Sequence, residues 1–143
     1  MKAITICQPY AHLIVIGKKI VENRTWPTSY RGPLLIHAGK SRDWLELDIG
    51  GERDIYNIRL SDMAFGAIVG RASLTECLSI DQIKRLAEMR PFYQRLLEHE
   101  HTNGPFCFVL NDIVKFETPI PYRGAQGFFD VPAELVAQQR TAV

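Results

Sequence analysis

The stretch GAIVGRASLTECL, residues 66 to 78, constrains the fold of this chain more than any other segment. Its apolar and β-branched residues predict a long strand, but Gly66 and Gly70 interrupt the run. Glycine inside a strand is typical of a bulge or a sharp bend, which is how small barrels turn a corner. We therefore expect a strongly bent sheet.

Strands and short helices alternate along the rest of the chain without a regular βαβ period. Apolar runs predict further strands at 3–7, 20–24, 34–38 and 104–117, and a short closing strand within 119–132. Helical spacing, caps and prolines predict helices at 9–17, 40–47, 79–89, 91–101 and 131–139, with a loop at 49–54. The fold class is therefore α+β, with five or six strands in a bent sheet or small barrel decorated by short helices.

The length of 143 residues predicts a single domain spanning residues 1–143. A hydrophobic content of 46% and a charged content of 23% are typical of a soluble globular protein. No apolar run approaches the roughly 20 residues that span a bilayer. Gln8, Pro9 and His12 interrupt the apolar N-terminal stretch, and no signal-peptide cleavage site follows it. We expect a cytoplasmic protein without a membrane partner.

The cysteines and histidines do not form a recognisable metal or redox motif. Cys7, Cys77 and Cys107 are odd in number and far apart, so we expect buried, reduced thiols. The spacing of His99 and His101 would suit a metal site on a strand, but their context is the end of a predicted helix. The sequence therefore predicts no metal and no cofactor.

Motifs of common enzyme classes are also missing from the sequence, which contains no GxSxG, HExxH or CxxC pair. The segment HAGKS, residues 37 to 41, looks like the end of a phosphate-binding loop. However, Leu34 occupies the position where that motif requires its first glycine. We expect neither serine-hydrolase nor zinc chemistry, and no nucleoside triphosphate site.

Charge is distributed unevenly along the chain. Residues 17–42 carry six basic residues against the single acidic Glu22, a net charge of +5, whereas residues 43–143 carry ten basic and fifteen acidic residues. The whole chain has a net charge of only +1, so strong non-specific attraction to nucleic acid is not implied. The basic segment contains the most unusual motif of the sequence, although a solvated basic face is the alternative explanation.

That motif is GKKIVENRTW, residues 17 to 26. Gly17 allows a tight turn before Lys19, which therefore need not follow strand alternation. Glu22 and Arg24 are two residues apart on a predicted strand, so they share one face about 7 Å apart. This separation is short enough for both side chains to flank one ligand group.

Aromatic and basic side chains follow the motif closely. Trp26 and Tyr30 supply flat surfaces for stacking a base, Arg31 supplies a forked donor suited to phosphate, and His37 titrates near neutrality. These residue types favour a nucleotide ligand. The candidate RNA- or nucleotide-binding residues are Gln8, Arg24, Trp26, Tyr30, Arg31, His37 and Lys40.

A purely structural interpretation explains the same residues equally well. In it, Glu22 bridges Lys19 and Arg24, Trp26 belongs to the core and Arg31 caps a turn. The residue types alone do not separate the two interpretations.

Gly17, Lys19, Glu22 and Arg24 fit the pattern GxKxxExR, and the chain here resembles the ASCH domain family. The resemblance extends over nearly the whole sequence, through QPYA at 8–11, YRGP at 30–33, IHAGK at 36–40, GAIVG at 66–70 and GPFCFVL at 104–110. It implies a small PUA-like β-barrel with a cleft beside the motif. The implied ligand of that cleft is RNA or a modified nucleoside or nucleotide.

The resemblance also implies two alternatives. Some relatives are hydrolases, so the chain would be a metal-independent ribonuclease, or an amidohydrolase acting on an acylated cytidine. Lys19 and Glu22 would then be catalytic, with Glu22 as general base and Lys19 stabilising negative charge. The deacetylase branch has threonine where Glu22 stands, so its hydroxyl is missing here, and the further carboxylate would be Glu76, Glu98 or Glu100. The last alternative is a protein-interaction module of the coactivator type.

Overall fold

A computed structural model describes residues 1–46, 51–137 and 139–142 of the chain. These residues form six strands, five short α-helices and two short 3-10 turns at Leu60–Asp62 and Ala133–Leu135. The strands are β1 (Lys2–Ile6), β2 (Val21–Arg24), β3 (Gly32–Ala38), β4 (Ala67–Ser79), β5 (Phe106–Pro121) and β6 (Phe128–Asp130). The helices are α1 (Tyr10–Val15), α2 (Asp43–Glu46), α3 (Glu52–Ile55), α4 (Ile80–Ala87) and α5 (Pro91–Glu98).

All six strands belong to one sheet with the order β2-β5-β4-β3-β1-β6. Strands β1 and β3 are parallel, and every other neighbouring pair is antiparallel. The sheet is curled into a half-barrel, which confirms the expected α+β, PUA-like architecture. Because β1 and β3 are parallel, their carboxyl ends lie side by side, with Ile6 opposite Ala38.

Strand β4 has an irregularity at Gly70, as the sequence predicts, and the β4–β5 register also shifts between Arg71 and Ser73 and between Leu74 and Glu76. In the β4–β5 ladder Ile68 pairs with Ile120 but Gly70 pairs with Lys115, so the register shifts between these two pairs. A Cβ atom at Gly70 would lie 2.3 Å from the carbonyl oxygen of Val114 and 2.7 Å from Cγ1 of Val15. Only glycine lets β5 and helix α1 come this close to β4.

The two edges of the curled sheet meet through side chains. Trp26, just after β2, packs edge-to-face on Phe108 of β5 and on Phe128 of β6, with ring centroids 5.2 and 5.3 Å away. Arg24 of edge strand β2 donates from Nη2 to the backbone oxygen of Thr5 in β1 at 2.8 Å. These contacts hold the half-barrel closed at the end where the polar motif lies.

Helices cover the sheet on two sides. Helix α1 contacts β3, β4 and β5, and five of its six residues are buried. Helices α4 and α5 pack on each other, and Ile83, Tyr93 and Leu96 bury their apolar faces against Val21 and Val109. Ser79 caps α4, accepting a hydrogen bond from the backbone nitrogen of Gln82. No helix among the described residues is long and apolar enough to cross a membrane.

Three segments differ from the sequence predictions. The predicted helix at 131–139 is only a 3-10 turn, since the chain beyond it pairs with β5 through a bridge between Thr141 and Phe116. The predicted loop at 49–54 includes the start of helix α3, and the predicted helix at 40–47 is helical only from Asp43 to Glu46. Positions 47–50 and 138 of these predictions lie outside the described residues.

Candidate functional site

Lys19 and Glu22 lie together, and both are largely removed from water. Lys19 Nζ is 3.7 Å from Glu22 Oε1, and the two side chains are 4% and 11% exposed. Gly17, with φ of +80°, makes the turn that brings Lys19 back towards β2. The ammonium also lies 5.7 Å from the centre of the Tyr10 ring. This contact between Lys19 and Glu22 is the one that the structural interpretation of the motif expected.

Arg24 completes a chain of three charges, of which Glu22 and Arg24 lie on one face of β2. Its Nη2 donates to Glu22 Oε2 at 3.0 Å and to the Thr5 carbonyl oxygen at 2.8 Å. The carboxylate therefore lies between two cations, and this cluster carries a net charge of +1. Alternation along β2 places Glu22 and Arg24 on the same face, as the sequence indicated.

Asn23, on the opposite face of β2, is a residue that the sequence reasoning missed. Its Nδ2 donates to the backbone oxygen of His101 at 2.7 Å. Its Oδ1 accepts hydrogen bonds from the backbone nitrogens of Asn103 and Gly104. Asn23 therefore fixes the segment that follows helix α5 against the motif strand. The only local signal was an amide inside a strand, where asparagine is uncommon.

The charged face of β2 opens into a cleft of about 620 Å³, which we call the Glu22 cleft. Its walls come from the carboxyl end of β1, helix α1, strand β2 and the residues after β3. It is lined by Thr5, Ile6, Cys7, Tyr10, Glu22, Asn23, Arg24, Thr25, Trp26, Gly39, Lys40 and Ser41. Lys19 is not part of this lining. It lies behind Glu22, and its ammonium contacts the Glu22 carboxylate from the protein interior.

A second cavity of about 420 Å³, which we call the His37 pocket, adjoins the first. It shares Thr5, Gly39 and Lys40 with the Glu22 cleft. The rest of its lining comes from β3, the start of β4 and the loop before β6, namely His37, Gly66, Tyr122, Arg123, Gly124, Ala125 and Gln126. The parallel arrangement of β1 and β3 creates this pair of cavities, because both strands end at the shared rim.

His37 is only 2% exposed and both of its ring nitrogens have partners. Nε2 is 2.7 Å from the carbonyl oxygen of Tyr122, and Nδ1 is 3.1 Å from the hydroxyl of Thr5. Since a carbonyl only accepts, Nε2 carries the proton and Nδ1 accepts from Thr5. Burial lowers the pKa of His37, so the neutral ring is favoured.

Three further candidates lie outside the lining of the Glu22 cleft. Gln8 is 1% exposed, and its amide donates to the Ala64 carbonyl and accepts from the His12 backbone nitrogen. Tyr30 packs on Phe128, and its hydroxyl donates to the Pro33 carbonyl. Arg31 is exposed and donates to the carbonyl oxygens of Thr28 and Tyr30, capping the turn before β3. Of the nine candidates, Glu22, Arg24, Trp26 and Lys40 line the cleft together.

The three glutamates considered as a further catalytic carboxylate have other surroundings. Glu76 accepts from the Tyr93 hydroxyl at 2.6 Å, and Glu98 accepts from the Gln94 amide at 2.6 Å. Glu100 lies 3.7 Å from the Nε2 atom of His101. None of the three glutamates belongs to the described lining of the Glu22 cleft.

The cysteine thiols are free, with Cys107 buried and Cys7 and Cys77 half-buried. Burial is the main factor that raises the pKa of Cys7, and the nearby carboxylate of Glu22 raises it further. Cys7 therefore enters the Glu22 cleft as a neutral thiol at pH 7. Within the described parts of the chain, no three His, Cys, Asp or Glu side chains are grouped as a metal ion would require.

All four histidines have pKa values lowered from 6.5, chiefly by burial, and Lys19 contributes at His99 and His101. The unfolded chain therefore binds more protons than the folded protein once the pH falls through 6.5. We expect the free energy of unfolding to be level just above pH 7 and to decrease from pH 6.5 to 5 by about 1 kcal/mol or more.

Urea unfolding at pH 7.5, 6.5 and 5.5, with NMR titration of the imidazole C–H signals, checks this expectation. The titrations should give pKa values below 6.5 for His37 and for the pair His99 and His101. A stability that rises on acidification across this range would contradict the buried, neutral state of these rings.

A six-stranded half-barrel with a polar cleft at the carboxyl ends of its parallel strands defines a small α+β domain of the PUA-like class. The profile of the ASCH domain matches residues 4–119, and the chain belongs to the ASCH domain family, which is associated with RNA binding.

Individual proteins are similar to this chain in sequence or in fold. The human protein "Activating signal cointegrator 1" is 28% identical over 128 residues, which cover 85% of this chain and 20% of that protein. The crystal structure of ASCH from Zymomonas mobilis is similar with a TM-score of 0.56 at 16% identity, covering 97% of this chain and 95% of that one. The crystal structure of a mutant of the same Zymomonas mobilis protein gives the same TM-score and identity and covers 97% of this chain and 98% of that one.

Proposed function

We propose that this chain binds RNA or a modified nucleotide in the Glu22 cleft. The observation that carries the proposal is the carboxylate of Glu22, held between Lys19 and Arg24 at the wall of a 620 Å³ cleft. A fixed carboxylate accepts hydrogen bonds from the exocyclic amines of a base, and the adjacent guanidinium donates to base carbonyl oxygens. Lys40, exposed at the rim, supplies a charge for the phosphate.

Aromatic rings at the same cleft support a base as the ligand. Tyr10 and Trp26 both belong to the lining, and both are held by edge-to-face contacts with other rings. Stacking on such rings is tolerant of base identity, so it contributes affinity, whereas the Glu22 and Arg24 pair contributes selectivity. The position of Lys19 behind Glu22 favours binding over the hydrolase alternative, because its ammonium does not reach the cleft wall.

A negative charge introduced at the cleft wall tests this proposal. Thr25 is an exposed lining residue, and Thr118 is an exposed threonine on β5 outside the cleft, so Thr118→Glu is a matched control for Thr25→Glu. We expect Thr25→Glu to weaken binding of a short labelled single-stranded RNA about tenfold in low salt, through repulsion of the phosphates. Fluorescence anisotropy measures the affinity.

Several results would contradict the proposal. Equal effects of Thr25→Glu and Thr118→Glu would place RNA elsewhere on the surface. Absence of RNA binding by the unmodified protein at low salt would favour a protein partner instead. Turnover of RNA or of an acylated cytidine with EDTA present would show that the cleft is a hydrolase site.

A further inference from the structure

The His37 pocket lies beside the Glu22 cleft and is built as a ligand site in its own right. Its volume of about 420 Å³ falls within the usual range of ligand pockets. Thr5, Gly39 and Lys40 line both cavities. A ligand that filled both cavities would therefore pass these three residues.

Lys40 is placed at that rim by a close contact with Gly66. A Cβ atom at Gly66 would lie 3.0 Å from both Cγ and Cε of Lys40, so the lysine stem rests directly on the glycine backbone. Gly66 also has a φ of +63°, a conformation that favours glycine. This support holds the stem between the cavities and leaves the exposed ammonium for an anion that joins them.

The far wall of the His37 pocket is preformed by the loop before β6. A Cβ atom at Gly124 would lie 2.5 Å from Thr5 Oγ1 and 2.7 Å from His37 Cε1, so the loop backbone packs directly on these two side chains. His37 and Thr5 are in turn hydrogen-bonded to each other. The wall is therefore fixed by packing, as a pocket that discriminates between ligands requires.

The lining of this pocket suits a nucleotide. Arg123 is exposed at its edge and, with Lys40, gives the pocket two cations, while none of its described lining residues is acidic. The Gln126 side chain supplies both donors and an acceptor for the polar edge of a base. The neighbouring Glu22 cleft supplies a carboxylate instead, so the two cavities present different polar groups.

We propose that the His37 pocket is a second nucleotide subsite, so that the preferred ligand is an oligonucleotide rather than a single nucleoside. One base occupies the Glu22 cleft, the phosphodiester lies against Lys40, and the adjacent nucleotide enters the His37 pocket beside Arg123. This inference rests on the proposed function and extends it from one nucleotide to two adjacent ones.

The test compares mononucleotides with dinucleotides for each of the four RNA bases, by calorimetry in low salt. For at least one base we expect the dinucleotide to bind about tenfold more tightly than the mononucleotide. Two variants should remove this gain in affinity. Arg123→Ala removes a cation from the pocket, and Ala125→Leu fills the pocket from an exposed position. Both variants should leave mononucleotide affinity within about twofold.

Two further measurements sharpen the test. Lys40→Gln should reduce the salt dependence of dinucleotide binding by about 0.7 in the slope of log K against log salt, the share of one phosphate contact in a single strand. Arg95→Ala removes an exposed arginine on α5 and is the control for the loss of one positive charge in Arg123→Ala. It should retain the full tenfold preference for the dinucleotide. NMR shifts of the Gly124 amide should respond to the dinucleotide and not to the mononucleotide.

Failure of this inference and failure of the proposed function give different results. If mononucleotides and dinucleotides bind equally, or if RNA binding is indifferent to both Arg123→Ala and Ala125→Leu, the second subsite is wrong and the Glu22 cleft stands. If the protein binds neither short nor long RNA, the proposed function itself fails and the second subsite fails with it.

Discussion

Replacement of Glu22 with glutamine is expected to lower the free energy of unfolding by about 3 kcal/mol. The change preserves the shape of the side chain but removes the charge that lies 3.7 Å from Lys19 and 3.0 Å from Arg24. The Lys19 side chain is only 4% exposed, so its ammonium would remain desolvated without this carboxylate. Urea unfolding at pH 7.5 measures the loss.

Glu117→Gln is the matched control, because Glu117 is exposed on β5 and the chemical change is identical. Its effect should stay within about 0.5 kcal/mol. The double variant Lys19→Met/Glu22→Gln should be more stable than Glu22→Gln alone by about 1 kcal/mol or more, since it also removes the buried ammonium. A Glu22→Gln effect no larger than that of the control would mean that the pair is hydrated and contributes little to stability.

The double variant also separates structural from functional roles of the motif. If Glu22 contacts a base, the double variant should remain folded and lose RNA affinity, because no carboxylate is left to accept from the base amines. An RNA affinity equal to that of the unmodified protein would assign the Lys19, Glu22 and Arg24 cluster to fold stability alone. Circular dichroism of the same sample verifies that the variant is folded.

Gly70→Ala should have an effect of similar size, about 3 kcal/mol of lost stability, and it would act through the fold. The added methyl group would meet the Val114 carbonyl oxygen at 2.3 Å and Val15 Cγ1 at 2.7 Å. Backbone atoms cannot rotate away from such a contact, so β5 and α1 must both move. Thermal and urea unfolding should show the loss.

Gly127→Ala is the control for the general cost of removing a glycine. Gly127 has a φ of +67°, and a Cβ there would meet nothing within 4 Å, so its replacement isolates the backbone conformational cost of about 1 kcal/mol. A smaller effect at Gly70 than at Gly127 would contradict close packing as the reason for glycine at position 70.

Local patterns in the sequence were sufficient for most of the elements. The two-residue period of a strand predicted that Glu22 and Arg24 share a face, and they do. Glycine suits the interior of a strand poorly, so Gly70 predicted an irregularity in β4, and the register does shift between Ile68 and Gly70. The predictions failed near the C-terminus, where the expected helix at 131–139 is reduced to a 3-10 turn at Ala133–Leu135 and the chain then pairs with β5 at Thr141.

The sequence by itself determined the α+β class and the family. It also placed a carboxylate and a guanidinium on one face of β2. These features depend on residues that are near neighbours in the chain. Only the tertiary structure decided that Lys19 lies behind Glu22, that Trp26 joins the sheet edges and that His37 belongs to an adjoining pocket. Those outcomes depend on how the sheet curls, which brings Arg24 to Thr5 and the loop before β6 to His37. Side-chain alternation is a property of one strand, whereas curvature arises from the pairing of all six.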